Sequence, residues 1–237
     1  LLNIDKIINK LSKRENMHTY KLVIFDWDGT LMDSVDRIVF SMQASAIALS
    51  FTPPSYEQAK QIIGLSLPKA IQTLFPSANE EQVKTLTAEY KHQYVDANTT
   101  PSPLFEHAHI LLTHLKKENK LLAVATGKGR GGLQRVWQAT ETAHFFHASR
   151  CGDESISKPD PDMINSLLKE LNIEKHEAVM IGDTSFDLEM AQMAGVDSIG
   201  VTHGVHNDEI LSKYQPRAIV DSLAELYELL LNTPVKL

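Results

Sequence analysis

Two aspartates stand two residues apart in the segment DWDGT, directly after a short apolar run. Side chains at this spacing in an extended segment point the same way, so the carboxyl groups of Asp26 and Asp28 are expected side by side. Neighbouring carboxyl groups resist joint ionisation unless a cation lies between them or one of them carries a proton. Magnesium binding meets the first condition and general acid chemistry meets the second. An Asp-Gly turn with incidental acids is the alternative, whereas Gly29 stands too early for a calcium-binding EF-hand loop.

A second pair of acids follows another apolar run, in the segment GDTSFD. Asp183 and Asp187 lie one helical turn apart at the start of a predicted helix, and both can face the first pair. Taken alone, the motif also fits simple N-capping by Asp183. The two pairs together predict an acidic site.

Two further segments carry groups that suit a phosphate. Thr126, in AVATGK, offers a hydroxyl group followed by backbone N–H groups at a predicted helix start. Lys158, in SISKPDP, adds a cation in a loop fixed by proline. Each could be a helix cap or a surface charge on its own. Because all four segments follow or border strands of one predicted sheet, we interpret them as a single site.

The elements that must position these groups alternate strands with helices. Short apolar runs typical of buried strands occupy residues 20–26, 121–126, 176–183, 197–201 and 217–220, and helical patterns lie between them. This alternation predicts right-handed crossovers and an α/β fold with a doubly wound parallel sheet. Open parallel sheets bind ligands at the carboxyl ends of their strands, which is where the candidate residues lie.

Residues 34–100 break this alternation, since their segments have helical periodicity and none resembles a buried strand. We predict an all-helical cap domain over 34–100, inserted into an α/β core made of residues 20–33 and 101–237. The linkers at the two ends of the cap are expected to act as hinges that let it close over the site. Its five Lys and Arg against six Asp and Glu indicate no generally cationic pocket, although Arg37 or Lys69 could act singly.

Composition and charge limit the partners. The 237 residues include 23 Lys and Arg against 30 Asp and Glu, and the net charge of −7 gives no general attraction to nucleic acid or to an anionic membrane. The single cysteine, Cys151, cannot form an internal disulfide, and its acidic neighbours disfavour a reactive thiolate. We therefore expect a cytoplasmic protein without a catalytic thiol.

Residues 1–19 are predicted to be an N-terminal extension of the core. This segment is too charged for a signal peptide, and no apolar run of the sequence is long enough to span a membrane. Its first eleven residues have an apolar helical face that would suit packing on the body or on a partner. The alternative is that Met17 is the biological start.

Four histidines and one tryptophan are further candidate site residues. His107 and His109 are two apart and point to different faces of a predicted helix, so we expect a solvated face there rather than a zinc site. His203 and His206 follow a strand end and could border the site. Trp27 is expected to pack behind the two acids rather than to face a substrate.

Taken together, the motifs resemble those of the haloacid dehalogenase superfamily, in the branch with a helical cap inserted after the first motif. The resemblance covers residues 20–231 and is strongest to phosphoglycolate phosphatase-like members. It rests on DWDGT, on Thr126 in ATGK, on Lys158 in SKPDP and on GDTSFD. It implies a magnesium cofactor, a small phosphorylated metabolite as substrate and hydrolysis of its phosphomonoester.

The resemblance also implies roles for single residues. Asp26 would be the nucleophile that forms an aspartyl-phosphate, and Asp28 would act first as acid and then as base. Thr126, Gly127 and Lys158 would bind the phosphoryl oxygens, although similar phosphatases frequently have asparagine where Gly127 stands.

The implied magnesium ligands are Asp26, the main-chain carbonyl of Asp28, and Asp183, with Asp187 just outside them. Two other functions stay open at this point: a sugar-phosphate mutase of the β-phosphoglucomutase type, and a non-catalytic phosphate-binding protein. Thr30 favours hydrolysis over the mutase, since mutases often have valine there. The intact acids count against a pure binding protein. The sequence identifies neither the substrate nor the oligomeric state.

Overall fold

The computed structural model describes residues 20–231, which contain a six-stranded sheet flanked by helices. The strands are β1 (Leu22–Phe25), β2 (Leu121–Thr126), β3 (Ala148–Cys151), β4 (Ala178–Gly182), β5 (Asp197–Val201) and β6 (Ala218–Val220). All neighbouring strands are parallel, and their order across the sheet is β3-β2-β1-β4-β5-β6. The order reverses beside β1, as in a doubly wound fold, so the predicted fold class is confirmed.

Helices fill the segments between the strands. They are α1 (Val35–Ala48), α2 (Tyr56–Lys60), α3 (Leu67–Leu74), α4 (Glu80–His92), α5 (Ala108–Lys117), α6 (Arg130–Thr140), α7 (Asp162–Leu171), α8 (Ser185–Ala194), α9 (Asp208–Leu211) and α10 (Leu223–Leu231). A π-helical turn at Gln93–Ala97 continues α4. The helices α1 to α4 follow β1 with no strand among them, as the periodicity of this region predicts.

Side chains of the central strand alternate between two helical layers. Val23 and Phe25 of β1 belong to the cluster that contains the apolar faces of α5 and α10. Leu22 and Ile24 belong to the cluster on the opposite face, with α7 and α8. Every residue of β1 and β4 is buried, which is why both strands have continuous apolar sequences.

Helices α1 to α4 have their own apolar contacts, away from the sheet. Met42, Ile71 and Leu86 belong to one buried cluster of this region. A second cluster contains Val39 together with Val205, which follows β5, so it packs the helices against the sheet domain.

The two linkers of the helical region lie side by side. The Asp33 N–H donates to the Pro103 carbonyl at 2.8 Å, and the Phe105 N–H donates to the Leu31 carbonyl at 2.9 Å. Arg37 donates to the Tyr94 carbonyl at 2.8 Å and to the Thr100 carbonyl at 3.2 Å. Arg37 therefore fastens the start of this region to its end instead of reaching toward a ligand. Lys69 is exposed on α3.

One strand was not predicted from the sequence. Strand β3 lies at the sheet edge, where Ser149 and Arg150 are only half-buried, so its sequence lacks a continuous apolar run. No helix within residues 20–231 is long and apolar enough to cross a lipid bilayer. The predicted extension at 1–19, with its apolar helical face and Met17, lies outside the described residues.

Candidate active site

Three carboxylates meet at the carboxyl ends of two adjacent strands. Asp26 follows β1, Asp183 follows β4, and Asp187 lies in the first turn of α8. Carboxylate oxygens of the three lie within 4.8 Å of one another, and all three side chains are buried. Asp183 and Asp187 therefore both lie close to Asp26, whereas Asp28 is not part of this group, although the sequence predicts that the two acids face Asp26 and Asp28 together.

Lys158 supplies the positive charge of this cluster. Its buried Nζ donates to Asp26 Oδ1 at 2.7 Å and to Asp187 Oδ1 at 2.6 Å. Burial alone would lower the pKa of Lys158, but the two carboxylates outweigh it and hold the pKa above its ordinary value, so the ammonium stays charged. Lys158 therefore ties the end of β1 to the start of α8.

Neighbouring groups fix the orientation of the other two acids. Asp183 Oδ1 accepts from the Thr30 hydroxyl at 2.6 Å, and Oδ2 accepts from the Val205 N–H at 2.9 Å. Asp187 Oδ2 accepts from the N–H and the hydroxyl of Thr184 at 3.1 and 2.7 Å. These contacts also explain a glycine: Gly29 has a φ of +85°, and a Cβ there would lie 2.3 Å from Asp183 Oδ2.

The charges of the cluster fit a divalent cation. Three carboxylates face one ammonium group, so two negative charges remain when all are ionised. Burial raises the pKa of Asp26 well above its ordinary value, and burial together with Asp187 raises the pKa of Asp183 to about 7. Asp26 Oδ2 is buried without a hydrogen-bond partner among the described residues. An unpartnered buried carboxylate oxygen and two excess charges are what a bound divalent cation would balance.

Asp28 faces different partners from Asp26. Its Oδ1 accepts from the Ser34 hydroxyl at 2.6 Å, and its Oδ2 lies 3.0 Å from the Lys128 ammonium. That ammonium also lies 4.8 Å from the centre of the Tyr94 ring, on the helical region. Lys128 therefore holds the Asp28 carboxyl group from one side while Ser34 holds it from the other.

The segment after β2 comes close to the helical region. Thr126 is buried, and its hydroxyl oxygen accepts from the Lys128 N–H at 3.2 Å. A Cβ on Gly127 would lie 2.3 Å from the Leu65 carbonyl oxygen and 2.5 Å from that of Gly64. Glycine at position 127 therefore lets the backbone of the helical region approach the strand end directly.

The helix expected directly after Thr126 begins later than predicted. Helix α6 starts at Arg130, and the Arg130 N–H already donates to the two Asp153 carboxylate oxygens at 2.9 and 3.1 Å. This helix start is capped by Asp153. The groups next to Thr126 that face the site are therefore those of the connecting loop.

A cavity of about 330 Å³ joins the acids to the helical region. Asp26, Asp28, Thr126 and Gly127 line it on the sheet side. Apolar side chains of α1 to α3 and of the loops between them line the opposite side, among them Ile38, Met42, Ile62, Ile63, Leu67 and Ala70.

The other residues considered in the sequence analysis have structural roles or lie away from the three acids. Trp27 is fully buried, with its Nε1 donating to Met32 Sδ at 3.3 Å, so the prediction that it packs behind the acids is confirmed. Cys151 is buried, and burial raises the pKa of its thiol to about 12, which suits an inert thiol. His109 and His114 lie on α5, where His109 is exposed and His114 is half-buried, and no group of potential metal ligands found within residues 20–231 includes a histidine.

Sequence reasoning missed several contacts between the two regions. His206 accepts from the Ser185 N–H through Nδ1 at 2.9 Å, and its Nε2 lies 3.1 Å from Gln61 Oε1. The Ser66 N–H donates to the Ser157 hydroxyl, beside Lys158, at 2.9 Å. The sequence indicated only that His206 follows a strand end and could therefore lie near the site. Nothing in the sequence indicates that Gln61 contacts His206 or that Ser66 contacts Ser157.

Comparisons with known proteins agree with this architecture. A family model described as haloacid dehalogenase-like hydrolase matches residues 23–201. Phosphoglycolate phosphatase of Vibrio cholerae is 28% identical over 223 residues, covering 91% of this chain and 99% of that protein. Probable phosphatase IndB of Dickeya dadantii is 31% identical, covering 86% and 91%. The structure of a predicted phosphatase from Clostridium acetobutylicum has a TM-score of 0.80 at 27% identity, covering 90% of this chain and 99% of that one. This chain belongs to the family of haloacid dehalogenase-like hydrolases.

Proposed function

We propose that this enzyme is a magnesium-dependent phosphatase that hydrolyses a small phosphomonoester through an aspartyl-phosphate on Asp26. The observation that carries the proposal is the asymmetry of Asp26: Lys158 holds its Oδ1 at 2.7 Å, while its Oδ2 is buried with no hydrogen-bond partner among residues 20–231. A buried carboxylate oxygen without a hydrogen-bond donor is available to attack an electrophile or to bind a cation. The family membership and the phosphatase relatives support the same reaction class.

The first half of the reaction is transfer to the enzyme. A carboxylate oxygen of Asp26 forms a bond to phosphorus as the ester P–O bond breaks, and the Asp28 carboxyl group gives its proton to the departing alkoxide. Lys158, the Thr126 hydroxyl and the backbone N–H of Gly127 would hold phosphoryl oxygens. Ser34 and Lys128 hold the Asp28 carboxyl group in place.

The second half is hydrolysis. The Asp28 carboxylate takes a proton from a water molecule, whose oxygen attacks phosphorus as the bond to Asp26 breaks. Inorganic phosphate leaves, and Asp26 and Asp28 regain their starting forms. Splitting the reaction into two displacements lets the same fixed donors act twice on the transferred group.

Asp26, Asp183 and the main-chain carbonyl of Asp28 are the ligands we propose for magnesium, with Asp187 behind them. When bound, the ion would neutralise charge on the transferred phosphoryl group. Lys158 keeps the Asp187 carboxyl group paired beside these ligands.

We propose that residues 34–100 form a cap that opens and closes over this site. The paired linkers, bridged between Met32 and Leu104, would serve as its hinge, with residues 20–33 and 101–237 as the core. Closure would exclude water while the leaving group is protonated. The single buried Cys151 supports a reducing compartment, and we propose the cytoplasm as the location.

The test is release of inorganic phosphate from a panel of phosphoglycolate, sugar phosphates, nucleotides and a phosphopeptide, with and without magnesium. We expect magnesium-dependent phosphate release, with small metabolites exceeding the phosphopeptide in kcat/KM. Phosphate transfer between sugar positions without phosphate release would identify a mutase instead. A phosphopeptide that exceeds every small metabolite would contradict closure of the cap.

A further inference from the structure

The cavity beside Asp26 has two chemically different ends. Its sheet end carries Asp28, Thr126 and Lys128, whereas the end formed by the cap is lined largely by aliphatic side chains. Ile38, Met42 and Ile62 of the aliphatic wall are each less than a tenth exposed. The volume of about 330 Å³ lies at the lower end of the range for small-molecule sites.

The cations of the cavity do not suit a carboxylate close to the phosphoryl group. The Lys128 ammonium is 3.0 Å from Asp28 Oδ2 and lies over the Tyr94 ring, so it already has partners. The other two basic side chains of the lining, Lys91 and Arg135, are exposed and so lie where the cavity opens. Among the described residues, no further Lys or Arg lines the cavity.

The cap wall also offers few groups for the hydroxyls of a sugar. Its polar side chains are mainly the phenols of Tyr90 and Tyr94, whose rings are stacked with centres 5.8 Å apart. Burial raises the pKa of Tyr90 well above its ordinary value, so this phenol remains neutral. The Tyr94 hydroxyl is buried without a hydrogen-bond partner among residues 20–231, so this wall can meet one polar group. A sugar, which has several hydroxyls, would lose more hydrogen bonds to water here than the two phenols replace.

We infer that the substrate is the phosphomonoester of an apolar alcohol, with its phosphoryl group at Asp26 and its hydrocarbon body against Ile38, Met42, Ile62 and Leu67. The inference rests on the proposed function for the position of the phosphoryl group. The cavity itself supplies the argument, since it connects Asp26 and Asp28 directly to the aliphatic wall. Burying apolar surface in this wall favours the bound state.

A chain-length series tests the inference with the intact enzyme. We expect kcat/KM to rise by about fourfold per added methylene from ethyl to butyl to hexyl phosphate until the cavity is filled. Hexyl phosphate should then exceed phosphoglycolate at least tenfold. A flat series, or phosphoglycolate exceeding hexyl phosphate, would overturn the inference and leave the proposed hydrolysis standing.

Binding of non-hydrolysable ligands separates the inference from the reaction. Hexylphosphonate should bind more tightly than ethylphosphonate, and Leu67→Gln on the cavity wall should reduce that advantage at least fivefold. Ile47→Gln, at a 65% exposed position of α1 that does not line the cavity, is the matched control and should keep it. Equal binding of the two phosphonates would overturn the inference. Tighter hexylphosphonate binding without hydrolysis of any ester would support the apolar site and reject the proposed function.

Discussion

The two ends of the active-site cavity are built in opposite ways. At the sheet end, three buried carboxyl groups accept hydrogen bonds of 2.6 to 3.1 Å from fixed donors: Asp26 and Asp187 from the buried Lys158, Asp187 also from Thr184, and Asp183 from Thr30 and Val205. At the cap end, aliphatic side chains make contacts without directional partners. In the function that we propose, this difference would let the core fix the reaction and the cap select the leaving group, because phosphoryl transfer needs positioned polar groups whereas apolar burial is not directional.

The largest effect is expected from neutralising the proposed nucleophile. Asp26→Asn should lower kcat by at least about 10⁴-fold, since an amide is a poor nucleophile and also a weaker metal ligand. The measurement is steady-state phosphate release. Asp33→Asn, at an exposed acid of the same loop, is the control and should retain activity. If the kcat of Asp26→Asn were within tenfold of that of the parent enzyme, Asp26 would not be the nucleophile.

Removal of the metal tests the proposed magnesium site at the same end of the cavity. Excess chelator should reduce phosphate release about a thousandfold, because the negative charge of the transferred phosphoryl group then lacks the cation that would neutralise it. Added magnesium should restore the rate, whereas calcium should not, since calcium prefers more ligands at longer distances. Full activity in chelator, or equal rates with the two ions, would show that the metal assignment is wrong.

Lys128 contacts both ends of the cavity, since its ammonium group lies beside Asp28 at the sheet end and over the Tyr94 ring at the cap end. Lys128→Met keeps much of the side-chain length but removes the ammonium that lies 3.0 Å from Asp28 Oδ2. We expect kcat to fall roughly 10- to 100-fold with a smaller change in KM, since the general acid loses a positioning contact. Lys117→Met, at an exposed position of α5, is the matched control. An unchanged kcat would mean that Ser34 alone orients Asp28.

A smaller effect is expected where the cap backbone meets the core. Gly127→Ala should lower kcat/KM about tenfold, because its Cβ would lie 2.3 Å from the Leu65 carbonyl oxygen and oppose closure. Gly131→Ala, whose Cβ would meet nothing within 4 Å, should be neutral or slightly stabilising in α6. Equal kcat/KM for the two variants would show that this contact does not limit catalysis.

The sequence predicted the sheet end of the cavity better than the cap end. Asp26 and Asp183 directly follow strands whose continuous apolar runs predict both their position and their direction, so their proximity follows from parallel topology. Asp187 lies one helical turn after Asp183 and is brought to the same place. Strand β3 was not predicted because Ser149 and Arg150 are only half-buried at the sheet edge, so the strand has no continuous apolar run.

The cap contacts could not be read from the sequence for a physical reason. Helical periodicity shows which face of a helix is apolar but not which strand end that face covers. The approach of Leu65 to Gly127 and the position of Tyr94 over Lys128 depend on how the cap docks. The late start of α6 follows from capping by Asp153, which is far from it in sequence.

The most direct test of the central claim is to trap the phosphorylated enzyme. Asp28→Asn should slow hydrolysis of the intermediate, whereas an activated aryl phosphate, whose leaving group needs no proton, should still phosphorylate this variant. Rapid quenching with such a substrate followed by borohydride reduction would convert a phosphorylated aspartate to homoserine. Peptide mass spectrometry then identifies the position. We predict substrate-dependent homoserine at position 26, absent from the Asp26→Asn variant. Homoserine at another position would contradict the account. So would turnover without any homoserine, provided that the quench conditions preserve acyl phosphates.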